Sequence, residues 1–189
     1  MDCYVTRSGY TGEDGFEIRC EGGGAEGLAR ALLGEEEVSW VGLGARDSLR
    51  LEAGLCLYGN DLNETTTPSE AGLLWTIPKR RRKEGGFVGA DVICGQIADK
   101  KLVKRKRAGF VAKGPPPRAD DKIFTLNGDE VGVITSGVFG PSAKGPVAMG
   151  YVAKEYAKAG TELQVEIRGK MRPLTSAKMP FVPAGFYRG

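Results

Sequence analysis

Histidine is absent from this 189-residue chain. Its absence excludes a Ser-His-Asp triad, His-ligated zinc or haem, and imidazole acid–base catalysis, so any chemistry falls to carboxylates, Lys, Tyr, Cys or a bound cofactor. Long hydrophobic runs are also missing. No stretch approaches the roughly 18 residues of a membrane span, and the start, Met1-Asp2-Cys3-Tyr4-Val5, reads as strand rather than as a signal or transit peptide. A sequence that enters structure at once is expected of a chain that begins mid-protein. Cysteine is sparse: Cys3, Cys20, Cys56 and Cys94 form no CxxC pair. That excludes a zinc knuckle or dithiol redox motif and favours reduced thiols in an intracellular compartment. No metal site is expected.

What is present is an ordinary globular composition, 41% apolar and 27% charged, enriched in Gly (29) and Pro (10). Glycine and proline together far exceed the usual ~12%, which points to a turn-rich, strand-rich fold. The formal charge of +3 conceals a division. Residues 1–77 carry 5 basic and 14 acidic groups, net −9, whereas 78–189 carry 22 basic and 10 acidic groups, net +12. The shift coincides with the run Lys79-Arg80-Arg81-Arg82-Lys83 and marks a domain junction. The expected organisation is a module over 1–77, a basic linker and connection over 78–100, and a second domain over 101–189.

In the first module, Cys3–Thr6 and Gly15–Cys20 alternate at period two around a Gly-rich turn, a β-hairpin pattern. Ala25, Leu28, Ala29, Leu32 and Leu33 share one helical face ahead of Gly34. Val38–Leu43 reads as a short strand, Ala45, Leu49 and Ala53 as a second helix ending at Gly54, and Leu55–Tyr58 as extended. Thr67-Pro68-Ser69-Glu70 has the N-cap Thr, N1 Pro and N3 Glu of a capping box, and Pro78 stops that segment. The result is a compact α+β layer. Beyond it, Arg107–Ala112, Lys122–Leu126, Val131–Thr135, Val147–Val152 and Glu162–Ile167 are short alternating segments between Gly, Pro or Asn-Gly turns, the pattern of a small antiparallel barrel or sandwich.

The basic clusters, Lys79–Lys83 and Lys100–Arg107, lack the interleaved aromatics of an RNA-binding surface, so a solvated linker and strand edge is the better reading and no nucleic acid is expected. Gly22-Gly23-Gly24 precedes a helix but fits neither GxGxxG nor GxxxxGK[ST]. Glu17, beside a glycine turn, and Arg46, opening a helix, could bind an amidine-like edge and a carboxylate respectively. From spacing alone, a structural ion pair or solvent exposure is the more economical reading of both.

Seven groups of residues carry a resemblance. Thr6–Glu17, Gly44–Gly54, Thr67-Pro68-Ser69-Glu70 and, further on, Thr135-Ser136-Gly137, Pro141-Ser142, Ala148–Tyr151 and Gly160-Thr161 resemble, in order, the aminomethyltransferase (T-protein) family of the glycine cleavage system. The resemblance covers nearly the whole chain and corresponds to the family's C-terminal two thirds. It implies a ferredoxin-like α/β module followed by a small antiparallel β-barrel. It implies transfer of the one-carbon unit from the aminomethyl-lipoyl arm of the H-protein to tetrahydrofolate, with release of ammonia. Folate and the lipoyl carrier H-protein are then the partners, the lipoyl group comes from the latter, and neither metal nor membrane is involved. Matched by motif, Glu17 and Arg46 fall on folate-contacting positions. The aromatic contact after Lys178-Met179-Pro180-Phe181-Val182-Pro183 falls on Phe186 or Tyr187, where the family usually has Tyr at the first. The family's catalytic aspartate lies in a first domain with no counterpart here, so no catalytic residue is assigned and the isolated chain is expected to be inactive. The basic run and the terminal motif look closer to mitochondrial versions, implying the mitochondrial matrix. Two other readings carry the same fold: a non-enzymatic folate-binding paralogue of iron–sulfur assembly, and the folate half of a sarcosine or dimethylglycine dehydrogenase. The intact Arg46–Arg50 and Thr67–Glu70 segments favour the transferase. The paralogue's cysteine-bearing motif is missing, and the dehydrogenase needs a flavin domain upstream.

Overall fold

The structure is a computed structural model and describes residues 2–187. Its first part is mixed helix and strand, and its second is a closed six-stranded antiparallel barrel.

Strands β1 (Cys3–Thr6) and β2 (Glu17–Cys20) form the expected hairpin, with Thr6 opposite Glu17. Helix α1 (Ala25–Leu33) follows, with Gly34 in ordinary right-handed backbone rather than the left-handed cap its position suggests. Val38–Leu43 is not a strand: Val38, Trp40, Val41 and Leu43 are exposed, and no strand among the described residues pairs with the segment. Backbone N–H and C=O groups need a neighbouring ladder, and alternation alone does not supply one. Leu55–Tyr58 likewise makes only an isolated bridge, Tyr58 to Leu62. The first part, expected as a ferredoxin-like module, thus contains one hairpin with α1 and helices α2 (Leu43–Glu52) and α3 (Pro68–Ala71). The capping box at α3 forms: the Glu70 N–H donates to Thr67 Oγ1 at 3.2 Å, and Glu70 Oε2 accepts from the Thr67 N–H at 2.9 Å.

The stretch expected to be a linker contains two helices, α4 (Lys79–Glu84) and α5 (Ala90–Ala98). In α4 the basic run is held by local pairing, with Arg80 on Glu84 at 2.5 Å and Arg82 Nε on the Ile77 carbonyl at 2.7 Å.

The barrel is built from β3 (Arg105–Ala112), β4 (Lys122–Phe124), β5 (Glu130–Gly140), β6 (Gly145–Ala153), β7 (Glu162–Ile167) and β8 (Lys170–Ala177), closed in the order β3-β6-β5-β4-β7-β8. The five expected strands all form. The sixth, β8, escapes the pattern because charges and Pro173 interrupt it. Pro173 lies just beyond the β3–β8 ladder, opposite Gln164 of β7, and its carbonyl still accepts from the Lys113 N–H at 3.3 Å. Inside the barrel, Phe110, Ile123, Ile134, Ala148, Val152, Leu163, Val165 and Leu174 make a dry core. Strand β6 is buried on both faces. Ala148 and Val152 point into the barrel, while Val147 and Met149 point outward to meet Leu51 of α2, with Met179 and Phe181 of the C-terminal segment closing over them.

Candidate functional site

The platform beneath the candidate residues is a buried polar joint between α2 and the barrel. Arg50, 1% exposed, donates from Nε to Asp47 (2.8 Å), from Nη1 to Asp61 (2.6 Å) and to the Leu55 carbonyl (3.0 Å), and from Nη2 to Ser136 Oγ (2.8 Å). Asp61 also accepts from the Leu57 N–H at 2.9 Å and from the Thr135 hydroxyl, and its carbonyl accepts from the Tyr151 phenol at 2.8 Å. Thr135 and Ser136 are neighbours, and on a regular strand they would face opposite ways. The register of β5 against β6 shifts between Ile134 and Ser136, and such a bulge re-aims side chains, so both hydroxyls reach the Arg50–Asp61 pair. Burial pushes the Tyr151 phenol up to about 12. Burial also raises the Cys56 thiol above its ordinary value.

A second joint is Glu52. Its Oε1 accepts from the Ser142 and Ala143 N–H groups at 2.8 Å each, and its carbonyl accepts from Phe181 at 2.8 Å and Val182 at 3.2 Å. A third is Arg107, whose guanidinium donates to the Ala71 (2.8 Å) and Gly54 (3.1 Å) carbonyls. These bonds fix α2, α3 and the C-terminal segment relative to the barrel.

On that platform Arg46 lies over the Tyr10 ring, 4.7 Å from its centroid, beside a cavity of about 280 Å³ lined also by Leu43, Asp47, Leu57 and Asn60. Tyr10 is held by its hydroxyl on the Cys56 carbonyl at 2.5 Å, and burial raises that phenol above its ordinary value. Glu17 accepts from the Ser8 hydroxyl at 2.5 Å and lines a separate hollow with Tyr4, Thr6, Ile18 and Arg19. Phe186 and Tyr187 line a third, of about 270 Å³, with Arg7, Ser8 and Asp14. The terminal segment reaches it because the Gly185 N–H donates to the Gly12 carbonyl (2.9 Å) and the Tyr187 N–H donates to Asp14 Oδ2 (2.8 Å). That N–H, followed by Arg7 at 3.0 Å, holds the Asp14 carboxyl below its ordinary value. Ser8 therefore connects Glu17 to the Phe186–Tyr187 hollow, while Arg46 faces its own cavity and shares no wall residue with either.

A family model described as "GCVT N-terminal domain" matches residues 1–81, and one described as "Glycine cleavage T-protein C-terminal barrel domain" matches 105–183. The chain belongs to the glycine cleavage T-protein family. It is 55% identical over 188 residues to the mitochondrial aminomethyltransferase of Solanum tuberosum and 53% identical over 185 residues to that of Homo sapiens, covering 98% of this chain in each case. A crystal structure of the glycine cleavage system aminomethyltransferase T from Bartonella henselae superposes with a TM-score of 0.93 at 48% identity, over 99% of this chain and 52% of that one. The chain spans about half the length of the curated relatives it matches, 46% of the potato protein and 45% of the human one. That corrects the two thirds expected from the resemblance.

Within this T-protein chain, the joint residues Arg50, Glu52 and Asp61 are ones that sequence reasoning did not single out. Three consecutive buried positions, Arg50-Leu51-Glu52, contradict the one-face rule for a helix, and charged residues are ordinarily placed outside. The available signal was the density of charge in Arg46-Asp47-Ser48-Leu49-Arg50-Leu51-Glu52 beside a glycine stop.

Proposed function

We propose that this chain forms the folate-facing wall of a tetrahydrofolate-dependent aminomethyltransferase acting in glycine catabolism with the lipoyl-bearing H-protein. What carries the reading is Arg46, stacked on Tyr10 at the edge of a cavity and preset by the buried Arg50–Asp61 joint. A guanidinium held in a fixed plane suits a carboxylate or carbonyl oxygen. Glu17, presented on β2 beside Ser8, is the acceptor for the amino and ring N–H groups of a pterin, and Phe186 or Tyr187 supplies a flat apolar contact.

The reaction suits a histidine-free protein. The C–S bond to the lipoyl arm and the C–N bond to the leaving amine break, and bonds to two folate nitrogens form. The protons displaced from those nitrogens go to the sulfur and the amine, without net oxidation. Because the nucleophilic nitrogens belong to folate, the protein's task is to orient two partners and exclude water. No catalytic residue is assigned among the described residues, and the isolated chain is read as binding folate without turnover. We infer the mitochondrial matrix as its compartment, a reading supported by the mitochondrial names of its relatives and by its basic run, which organelle fractionation with an antibody to the chain would check.

Isothermal titration with tetrahydrofolate tests the wall. Glu17→Gln and Arg46→Ala should each cost about 1 to 3 kcal/mol of affinity, the cost of an unmatched partner, and unchanged affinity in both would overturn the assignment. Incubation with aminomethylated H-protein and tetrahydrofolate should yield no methylenetetrahydrofolate; clear turnover would refute the inactivity of the isolated chain.

A further inference from the structure

The largest of the cavities described lies away from these residues, between α3, α5 and the base of the barrel, with a volume of about 420 Å³. Three lysines line it: Lys100 in a short 3₁₀ turn after α5, Lys106 on β3, and Lys154 just beyond β6. No carboxylate lines it, and among the described residues none of these lysines takes part in an ion pair. Lys154 reaches across to the Lys100 carbonyl at 3.4 Å, so it is drawn to this rim rather than dispersed in solvent. The inner wall is apolar, from Leu74, Ile97 and the buried Val103.

A second observation points inward. Among the described residues three buried side-chain polar atoms have no hydrogen-bond partner, and two of them, Ser69 Oγ and Gln96 Oε1, belong to residues of this cavity. Buried polar atoms are nearly always paired, and one left alone costs about 1 to 3 kcal/mol. Neither atom is consumed by its own element. The α3 cap is satisfied by Thr67 and Glu70 without Ser69, and Gln96 sits in the interior of α5.

We propose that this cavity is a second binding site, for a small organic anion. The lysines at the rim take a carboxylate or phosphate, Leu74, Ile97 and Val103 cover an apolar or aromatic body, and, once the Gln96 side chain turns into the cavity, an N–H or O–H on that body donates to its unpaired Oε1 beside Ser69. The volume lies within the range of small-molecule pockets. Its wall shares no residue with the cavities at Arg46, Glu17 or Phe186, so occupancy is independent of the folate reading.

Amide and side-chain chemical shifts of the intact chain, followed during titration, test the site with three probes. These are adenosine monophosphate (a phosphate on an aromatic body with an amino donor), indole-3-acetate (a carboxylate with a ring N–H) and inorganic phosphate. The expected result is a saturable shift at Ser69, Val103 and the Gln96 side-chain amide with one of the two organic probes. Which of them binds separates phosphate from carboxylate recognition. Inorganic phosphate should bind about ten-fold more weakly because it leaves the apolar wall uncovered. The Lys100→Gln/Lys154→Gln variant, which removes charge from exposed side chains, should weaken binding about ten-fold or more, and Lys122→Gln should leave it unchanged. Absence of a saturable shift with every probe would mean a water-filled cavity and overturn the proposal. Shifts spread over the basic barrel surface, or indifferent to the double variant, would overturn it equally.

Discussion

Arg50 ties three segments together, because its guanidinium is spent on four partners drawn from them. Removing one member of a buried pair leaves the other charge unmatched, at a cost of about 3 to 5 kcal/mol. Arg50→Met should therefore lower stability by that amount in urea unfolding. Arg50→Lys should recover only part of it, since an ammonium cannot reproduce the fork. Glu70 gives a pH-dependent counterpart. Burial alone would raise its carboxyl, but the Thr67 N–H and Arg105, 2.9 Å away, outweigh this and bring it below its ordinary 4.5. A carboxylate with a depressed folded value adds stability above its unfolded pKa and loses it as pH falls through the folded one. Glu70→Gln should accordingly be less stable at neutral pH and show a flatter acid limb below about pH 4.5 when melting temperature is followed against pH. Tyr151 has the opposite sign. Its phenol is favoured in the neutral form in the fold, so its contribution is full below pH ~10 and is lost as pH rises toward 12; a spectrophotometric titration should show Tyr151, with Tyr10, ionising late.

Among the elements, the barrel strands were largely legible because each alternates over an enclosed core, and period two survives wherever one face is dry and the other wet. β8 was missed where Pro173 and its charges broke the alternation. β6, buried on both faces, was found through its β-branched residues and flanking glycines. The strand read at Val38–Leu43 failed for lack of a partner ladder. The bulge at Thr135 in β5 was invisible, since nothing in Val133-Ile134-Thr135-Ser136-Gly137 announces an extra residue. Close approach to backbone is tightest at Gly137, where a Cβ would stand 2.1 Å from the Pro117 carbonyl oxygen. Gly137→Ala should cost about 1 to 3 kcal/mol through forced backbone shift, read as a lowered thermal midpoint with the barrel's circular dichroism retained below it.

For the whole molecule, the acidic first part and the basic barrel are joined by buried hydrogen bonds through Arg50, Glu52 and Arg107 rather than by a general attraction of opposite charge. Both tryptophans, Trp40 and Trp75, lie in the first part, whereas the barrel supplies most of the strand signal. Fluorescence and far-ultraviolet circular dichroism should therefore report one coincident transition in urea, and Arg50→Met should separate them by uncoupling the joint. Salt should move that transition little, because buried pairs are poorly screened. The candidate site follows the same division. Glu17 and Arg46 were found by motif, and the terminal aromatics by their distance from Lys178–Pro183. That Ser8 links Glu17 to the Phe186 hollow, while Tyr10 carries Arg46 to another, depends on loops brought together by the Gly185 and Tyr187 backbone.

Sequence alone determined the family, the α+β composition, the barrel periodicity, the α3 capping box and the narrowing of chemistry that follows from having no histidine. These are local or compositional properties, read within a few residues or summed over all of them. Only the tertiary structure decided that Arg50, Glu52 and Asp61 are interior, that Ser69 and Gln96 face one lysine-rimmed cavity, and that the basic run is helical. Each of those depends on which groups from distant segments compete for the same hydrogen bonds, and burial, not residue type, settles that competition.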